Sequence, residues 1–204
     1  MTVSELYTKL KDENFLKPYV GAVGYNYYIY SYPANKEYEF RKQIAEFKEN
    51  LIRPNTYADV LCLNLYDEMC GYLSSLEAED SNMLDFILSN EGTDELSSED
   101  ASEIIQAIVS EKDFVSYIND KITAHLSIID NNIRPYIFLY GVGAIYPFMR
   151  VNQFLTLFED FNRPDAYKLI VFYPGQTATN TYTLFGKLYD KHSYRAVRLN
   201  ENHE

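Results

Sequence analysis

Apolar and polar positions switch between two periods along the chain. Residues 4 to 16, "SELYTKLKDENFL", place Leu6, Leu10 and Phe15 on or near one side, which predicts a helix capped by Ser4. "YNYYIYSYP", 25 to 33, is aromatic and β-branched up to a proline and predicts a first strand. A helix follows with Asn35 as N-cap, Tyr38, Phe40, Ile44, Phe47 and Leu51 on its apolar side, and Pro54 at its close. "YADVLCLNL", 57 to 65, predicts a second strand, and Tyr66, Met69, Leu73 and Leu76 then fall at helical spacing. In the next stretch Met83, Leu84, Ile87 and Leu88 make a short helical piece, and Glu91 to Ser98 a turn. Ser98 is placed to cap a long helix from Glu99, lined by Ile104, Ile105, Ile108, Phe114, Ile118, Ile122 and Leu126, with a break near Asp113.

"RPYIFLYGVG", 134 to 143, is almost unbroken in apolar character, as a central parallel strand covered on both faces would be. "AIYPFMRVNQFLTLFEDF" reads as helix, "YKLIVFYPG" as a fourth strand, "TLFGKLYD" as a short helix and "YRAVRL", 194 to 199, as a fifth strand. Alternating strands and helices predict a three-layer α/β fold. The expectation is a mostly parallel five-stranded sheet flanked by helices, ATPase-like without a phosphate loop. One domain over 1 to 204 is expected, with an acidic helical and loop insertion about 77–112.

Charge sharpens this picture. The net charge is −12, and from Pro54 to Glu111 there are fourteen Asp and Glu with no Lys or Arg. Phosphate contacts need clustered cations, so direct nucleic-acid binding is disfavoured. No apolar run reaches bilayer length, and "MTVSELYTKLKDENF" reads as an amphipathic helix. A cytoplasmic protein without membrane contact is the expectation. Twenty Tyr and twelve Phe suit half-buried sites and interfaces, although an AT-rich genome also favours Tyr codons. Cys62 and Cys70 fit no metal spacing and read as small buried residues.

Candidate chemistry centres on "FLYGVGAIYPFMR". Gly141 and Gly143 end a strand and open a helix, as in nucleotide-binding loops. A dinucleotide fingerprint wants a small residue at 146, where Tyr146 stands. A phosphate loop wants Gly-Lys and a hydroxyl, but Ala144 and Ile145 follow Gly143, and Pro147 removes a donor. A structural turn is the main reading, and anion binding with Arg150 as the nearby cation the lesser. Gly21 and Gly24 precede a strand and read as a connecting turn. His125, His192 and His203 have no nucleophile elbow to serve, and Asp67 and Glu68 read as acids at a helix start. Tyr173, Pro174 and Gly175 leave the fourth strand. Gly141–Arg150 and Tyr173–Gly175 share the carboxyl rim if their strands are parallel neighbours. Alternation puts Arg195 and Arg198 on opposite faces.

"FLYGVGAIYPFMRVNQFLTLF", "LIVFYPG" and "LFGKLYDKHSYRAVRL" resemble the BrxB family of BREX (bacteriophage exclusion) systems. The likeness spans nearly the whole chain and is most specific from Phe138 to Leu199. The family often has Tyr-Asp-Pro where this chain has Ser31, Tyr32 and Pro33, which weakens any carboxylate role there. The resemblance implies a cytoplasmic protein of an anti-phage operon, beside an adenine-specific methyltransferase (PglX), an alkaline-phosphatase-like protein (PglZ) and a large ATPase (BrxC). It implies no catalytic motif and no cofactor. A non-catalytic assembly or regulatory subunit that contacts PglZ is therefore expected. Gly141, Gly143, Tyr146, Pro147, Arg150, Tyr173, Pro174, Gly175, Arg195 and Arg198 are its candidate partner-binding residues. A degenerate ATPase-like, nucleotide-sensing or enzymatic subunit is the alternative.

Overall fold

The computed structural model describes residues 1–17, 27–52, 58–130, 134–178, 181–190 and 196–200. Helices α1 (Val3–Leu10) and α2 (Glu13–Leu16) replace the single early helix. The cap is Thr2 rather than Ser4, because Thr2 and Glu5 form a reciprocal capping box, and Asp12 accepts from Asn14 N to restart the chain as α2. Strand β1 (Tyr27–Tyr32) leads through a 3-10 turn (Ala34–Lys36) into α3 (Glu37–Leu51). Asn35 thus lies in the turn and does not cap the helix, and Pro54 lies outside the described residues.

Strand β2 (Ala58–Asn64) runs directly into α4 (Leu65–Ser75). The acidic stretch holds a two-rung antiparallel pair absent from the sequence reading, β3 (Glu77–Ala78) and β4 (Ser81–Asn82). It continues through α5 (Met83–Asn90) and α6 (Ser98–Val109). The cap of α6 is Ser97, one residue earlier than expected, accepting from Asp100 N. The long helix breaks at Ser110–Glu111, just before Asp113, and resumes as α7 (Lys112–Ile128).

Strand β5 (Arg134–Tyr140) is followed by the four-residue α8 (Val142–Ile145), then α9 (Val151–Phe158). Between them the chain is irregular, with a cis Tyr146–Pro147 bond. Here the expected continuous helix fails because Pro147 has no N–H to give. Strand β6 (Lys168–Ala178) is longer than expected. Beyond Gly175 it pairs antiparallel with β7 (Thr181–Leu184), which pairs with β8 (Leu188–Asp190). The short helix expected over 183 to 190 is therefore a β-hairpin. Leu184 and Leu188 mimic helical spacing, but Phe185 and Gly186 take positive φ and turn the chain back. Finally β9 (Val197–Arg198) is a two-residue edge strand, and Tyr194 and Arg195 lie outside the described residues.

The main sheet runs β2-β5-β6-β1-β9, every pair in that row parallel, and the hairpin makes it mixed rather than purely parallel. Strand alternation divides the core. Tyr28, Tyr30, Tyr136, Phe138 and Phe172 face α1 and α3, while Ile29, Leu63, Ile137, Leu139 and Val171 face α4, α7 and α9. The connection after β1 thus crosses one face and those after β2 and β5 the other, so the sheet's topological switch lies between β1 and β6. Open α/β sheets bind ligands outside the carboxyl strand ends at such a point. Among the described residues, no helix is long and apolar enough to cross a membrane.

Candidate functional site

Because β5 and β6 are parallel neighbours, Gly141–Arg150 and Tyr173–Gly175 do share one rim. Gly141 sits at φ 75°, ψ 13°. A Cβ there would stand 1.9 Å from Asn64 Oδ1 at the end of β2. That Asn64 oxygen already accepts from Tyr66 N (3.2 Å), and its Nδ2 donates to Asp67 Oδ2 (2.7 Å). Asp67 is therefore engaged in closing the start of α4, and Glu68 pairs with Lys121 Nζ on α7 at 2.5 Å. Both behave as helix-start acids.

Gly143 is glycine for want of room. A Cβ would meet the Phe185 ring at 2.7 Å and Pro174 Cγ at 3.1 Å. Phe185 is the first residue of the hairpin turn, and its N–H donates to Pro174 O at 3.0 Å. Gly175 is equally crowded, since its Cβ would lie 2.2 Å from Thr183 O. The backbone cradle seen in the sequence is thus filled by the chain's own hairpin.

What remains is a cleft of about 20 Å³ lined by Val142, Tyr146, Met149, Arg150, Val151, Tyr173, Leu184 and Leu188. That is room for about one water, where ligand pockets run to several hundred cubic ångströms. The structure brings Tyr146, Arg150 and Tyr173 together here, with the Arg150 guanidinium 5.8 Å from the Tyr146 ring centre. Pro147 and Arg150 are exposed. Arg198 stands behind this wall. Its Nε donates to Tyr182 Oη (3.3 Å), and Tyr182 meets Tyr173 edge-on at 5.9 Å. Arg195 lies outside the described residues, as do Gly21, Gly24, His192 and His203.

Sequence reasoning missed the hairpin. Phe185 is 40% and Tyr189 70% exposed, beside the rim. The available signal was alternation on either side of "FGK".

At the switch point the rim closes differently. Tyr32 Oη donates to Glu37 Oε2, and Arg41 Nε donates to Glu37 Oε1 at 2.9 Å. Tyr32 stacks on Phe40 with ring centres 4.2 Å apart. Burial and then the Glu37 carboxylate raise the Tyr32 pKa above the usual tyrosine value. Asn200 joins the edge, accepting from Ser31 N (2.7 Å) and donating to Ser31 O (3.0 Å). Glu37 of α3 thus brings a carboxylate to the Tyr32 hydroxyl. Glu37 and Glu39 occupy its first turn, where the helix dipole would otherwise draw a foreign anion.

The other candidate chemistry is structural. His125 in the last turn of α7 brings Nε2 to 2.7 Å from Asp59 Oδ2, although the two are not aligned as a hydrogen bond. Burial pushes the Cys62 thiol up to about 11, away from reactivity. Among the described residues no group of three or more His, Cys, Asp or Glu is arranged to hold a metal.

The model of the family described as "BREX protein BrxB" matches residues 61–199. A BREX protein BrxB of Bacillus cereus (strain H3081.97) is 26% identical over 206 residues, covering 97% of this chain and 95% of the relative. Another, from Escherichia coli O9:H4 (strain HS), is 21% identical over 200 residues, covering 97% and 89%. No solved structure matches, so the ATPase-like part of the expectation gains no support from structural likeness. With the matched span taking in β5, β6 and the hairpin that build the rim, the chain belongs to the BrxB family of BREX anti-phage defence proteins.

Proposed function

We propose that this chain is a non-catalytic assembly or regulatory subunit of its BREX system, acting in the cytoplasm through protein–protein contacts. The PglZ-type component is the partner that the family resemblance points to. The observation that carries the reading is the filled cradle. Phe185 and Pro174 cover Gly143, and the cleft beside Arg150 holds about 20 Å³. A rim that its own hairpin occupies favours work on its outer surface, where Pro147, Arg150, Phe185 and Tyr189 reach solvent. Aromatic residues and arginine are the side chains that dominate interface energetics.

Size-exclusion chromatography of this chain with the PglZ-type protein of its operon tests the proposal. Co-elution at micromolar concentration and modest salt is expected, and separate migration overturns it.

The alternative, a degenerate ATPase-like nucleotide sensor, draws on the glycine turn after β5 and its place at the carboxyl rim. The cleft volume weighs against it. Calorimetry with ATP, GTP and dinucleotides, with and without Mg²⁺, separates the readings. Heat at millimolar ligand favours the sensor.

A further inference from the structure

Helix α5 is apolar nearly all round, yet the fold covers only part of it. Five of its eight residues are large and apolar: Met83, Leu84, Phe86, Ile87 and Leu88. Ile87 alone is fully buried, beside Leu96 and Ala101 in a small cluster apart from the main core. Met83, Leu84 and Phe86 are half-buried, and Leu88 is 65% exposed. Leu84 and Leu88 are four residues apart, so they share one side of the helix. Leu84 packs against the main core, and the stripe then runs out into solvent at Leu88. A helix with apolar residues on every side is normally enclosed. This side of α5 stands unpartnered among the described residues.

The frame around Leu88 carries charge of one sign. Asp85 lies on α5 itself, Glu91, Asp94 and Glu95 follow in the connection to α6, and Glu99 and Glu103 belong to the first two turns of α6. All six are exposed, and among the described residues none forms an ion pair. No Lys or Arg occurs from Pro54 to Glu111 to balance them. The connection is also tied down, with Gly92 N donating to Leu96 O at 2.7 Å and Thr93 N to Asn90 O at 3.1 Å. Its acids therefore stand in a set arrangement next to the apolar stripe.

The sign of the charge decides what can cover such a face. Nucleic acid and anionic lipid are repelled, and the same face of a second copy brings like charge. An apolar ridge flanked by cations is complementary. We propose that the Leu84–Leu88 side of α5 is a docking surface, distinct from the hairpin rim, for a basic amphipathic helix of another protein. The apolar ridge of that helix covers Leu88, and its Lys and Arg side chains meet the acids of α5, α6 and their connection.

Fluorescence anisotropy with a labelled synthetic helix of about five turns, Leu on one face and Lys on its flanks, tests this on the full chain. A second peptide with Glu in place of every Lys is the control. Saturable binding of the basic peptide, weakening as salt rises, and none of the acidic peptide are expected. Leu88→Asn, which alters an exposed side chain, should weaken the basic peptide at least about tenfold. Glu95→Gln combined with Glu103→Gln should weaken it too and flatten its salt dependence. Absence of saturable binding overturns the proposal. Equal affinity in wild type and Leu88→Asn means general charge attraction and overturns it as well. So does a dimer in sedimentation velocity that Leu88→Asn dissolves, because a second copy is then the occupant. No PglZ-type protein enters the measurement, so its outcome is separate from that of the rim proposal.

Discussion

Phe185, at the tip of the β7–β8 hairpin, lies over Gly143 so closely that a single added methyl would reach its ring at 2.7 Å. The two residues are 42 positions apart in the chain, and their contact closes the rim where a ligand cradle would stand. Gly143→Ala should cost about 1–3 kcal/mol by overpacking. Most of that should vanish in a Phe185→Ala background, since the clash partner is then gone, although Pro174 still limits the space. A double-mutant cycle by urea unfolding checks this, and additive effects would count against the contact.

Two left-handed glycines separate backbone strain from crowding. Gly141 combines φ 75° with an Asn64 oxygen 1.9 Å from any Cβ, whereas Gly186 has φ 69° and nothing within 4 Å. Gly186→Ala should therefore cost about 1–2 kcal/mol from the left-handed conformation alone. Gly141→Ala should cost clearly more, because Asn64 must also surrender its cap on α4. Equal losses in the two variants would refute the role given to Asn64.

Alkaline pH should weaken the fold. Burial raises the pKa of Tyr27, Tyr32 and Tyr136 above the ordinary tyrosine value, that of Tyr167 to about 12 and that of Cys62 to about 11. These groups keep their protons in the folded chain while the unfolded chain loses them. Stability is then complete below about pH 8.5 and falls as pH rises through about 10 and beyond. A Tm series from pH 7 to 11 checks the sign. Tyr32→Phe should flatten the decline, since that site then cannot ionise in either state.

Exposed ion pairs should matter little by comparison. Lys112 Nζ and Asp160 Oδ2 are 2.6 Å apart, yet both side chains are more than half exposed. Lys112→Ala should change stability by less than about 1 kcal/mol. A larger loss in chemical denaturation would show that Lys112 has a packing role, for which its 5.6 Å approach to the Phe161 ring is the available contact.

The core of the fold was legible because burial on both faces leaves a plain signature. "YIFLY" in β5 and "LIVFY" in β6 are continuous apolar runs, and no other placement hides them. The glycine turn was legible too, since only a crowded or left-handed position asks for glycine beside such a strand. The hairpin was not. Leu184 and Leu188 satisfy a helical spacing as well as a β-turn–β spacing, and what decides between them is pairing with the far end of β6, a long-range contact. The same limit hid the Tyr32–Glu37–Arg41 group, whose members meet only when the chain folds back from β1 into α3.

The rim's outer surface is the proposed contact with the PglZ-type protein. Isothermal titration of the PglZ-type protein with the wild-type chain, Tyr189→Ala and Arg150→Ala measures it directly. Both side chains are solvent-facing, so the variants should keep the wild-type Tm. Saturable binding by the wild-type chain is expected, with affinity at least about tenfold weaker in the variants, as interface aromatic and arginine residues give. No binding by the wild-type chain, or binding unchanged by either substitution, would contradict it.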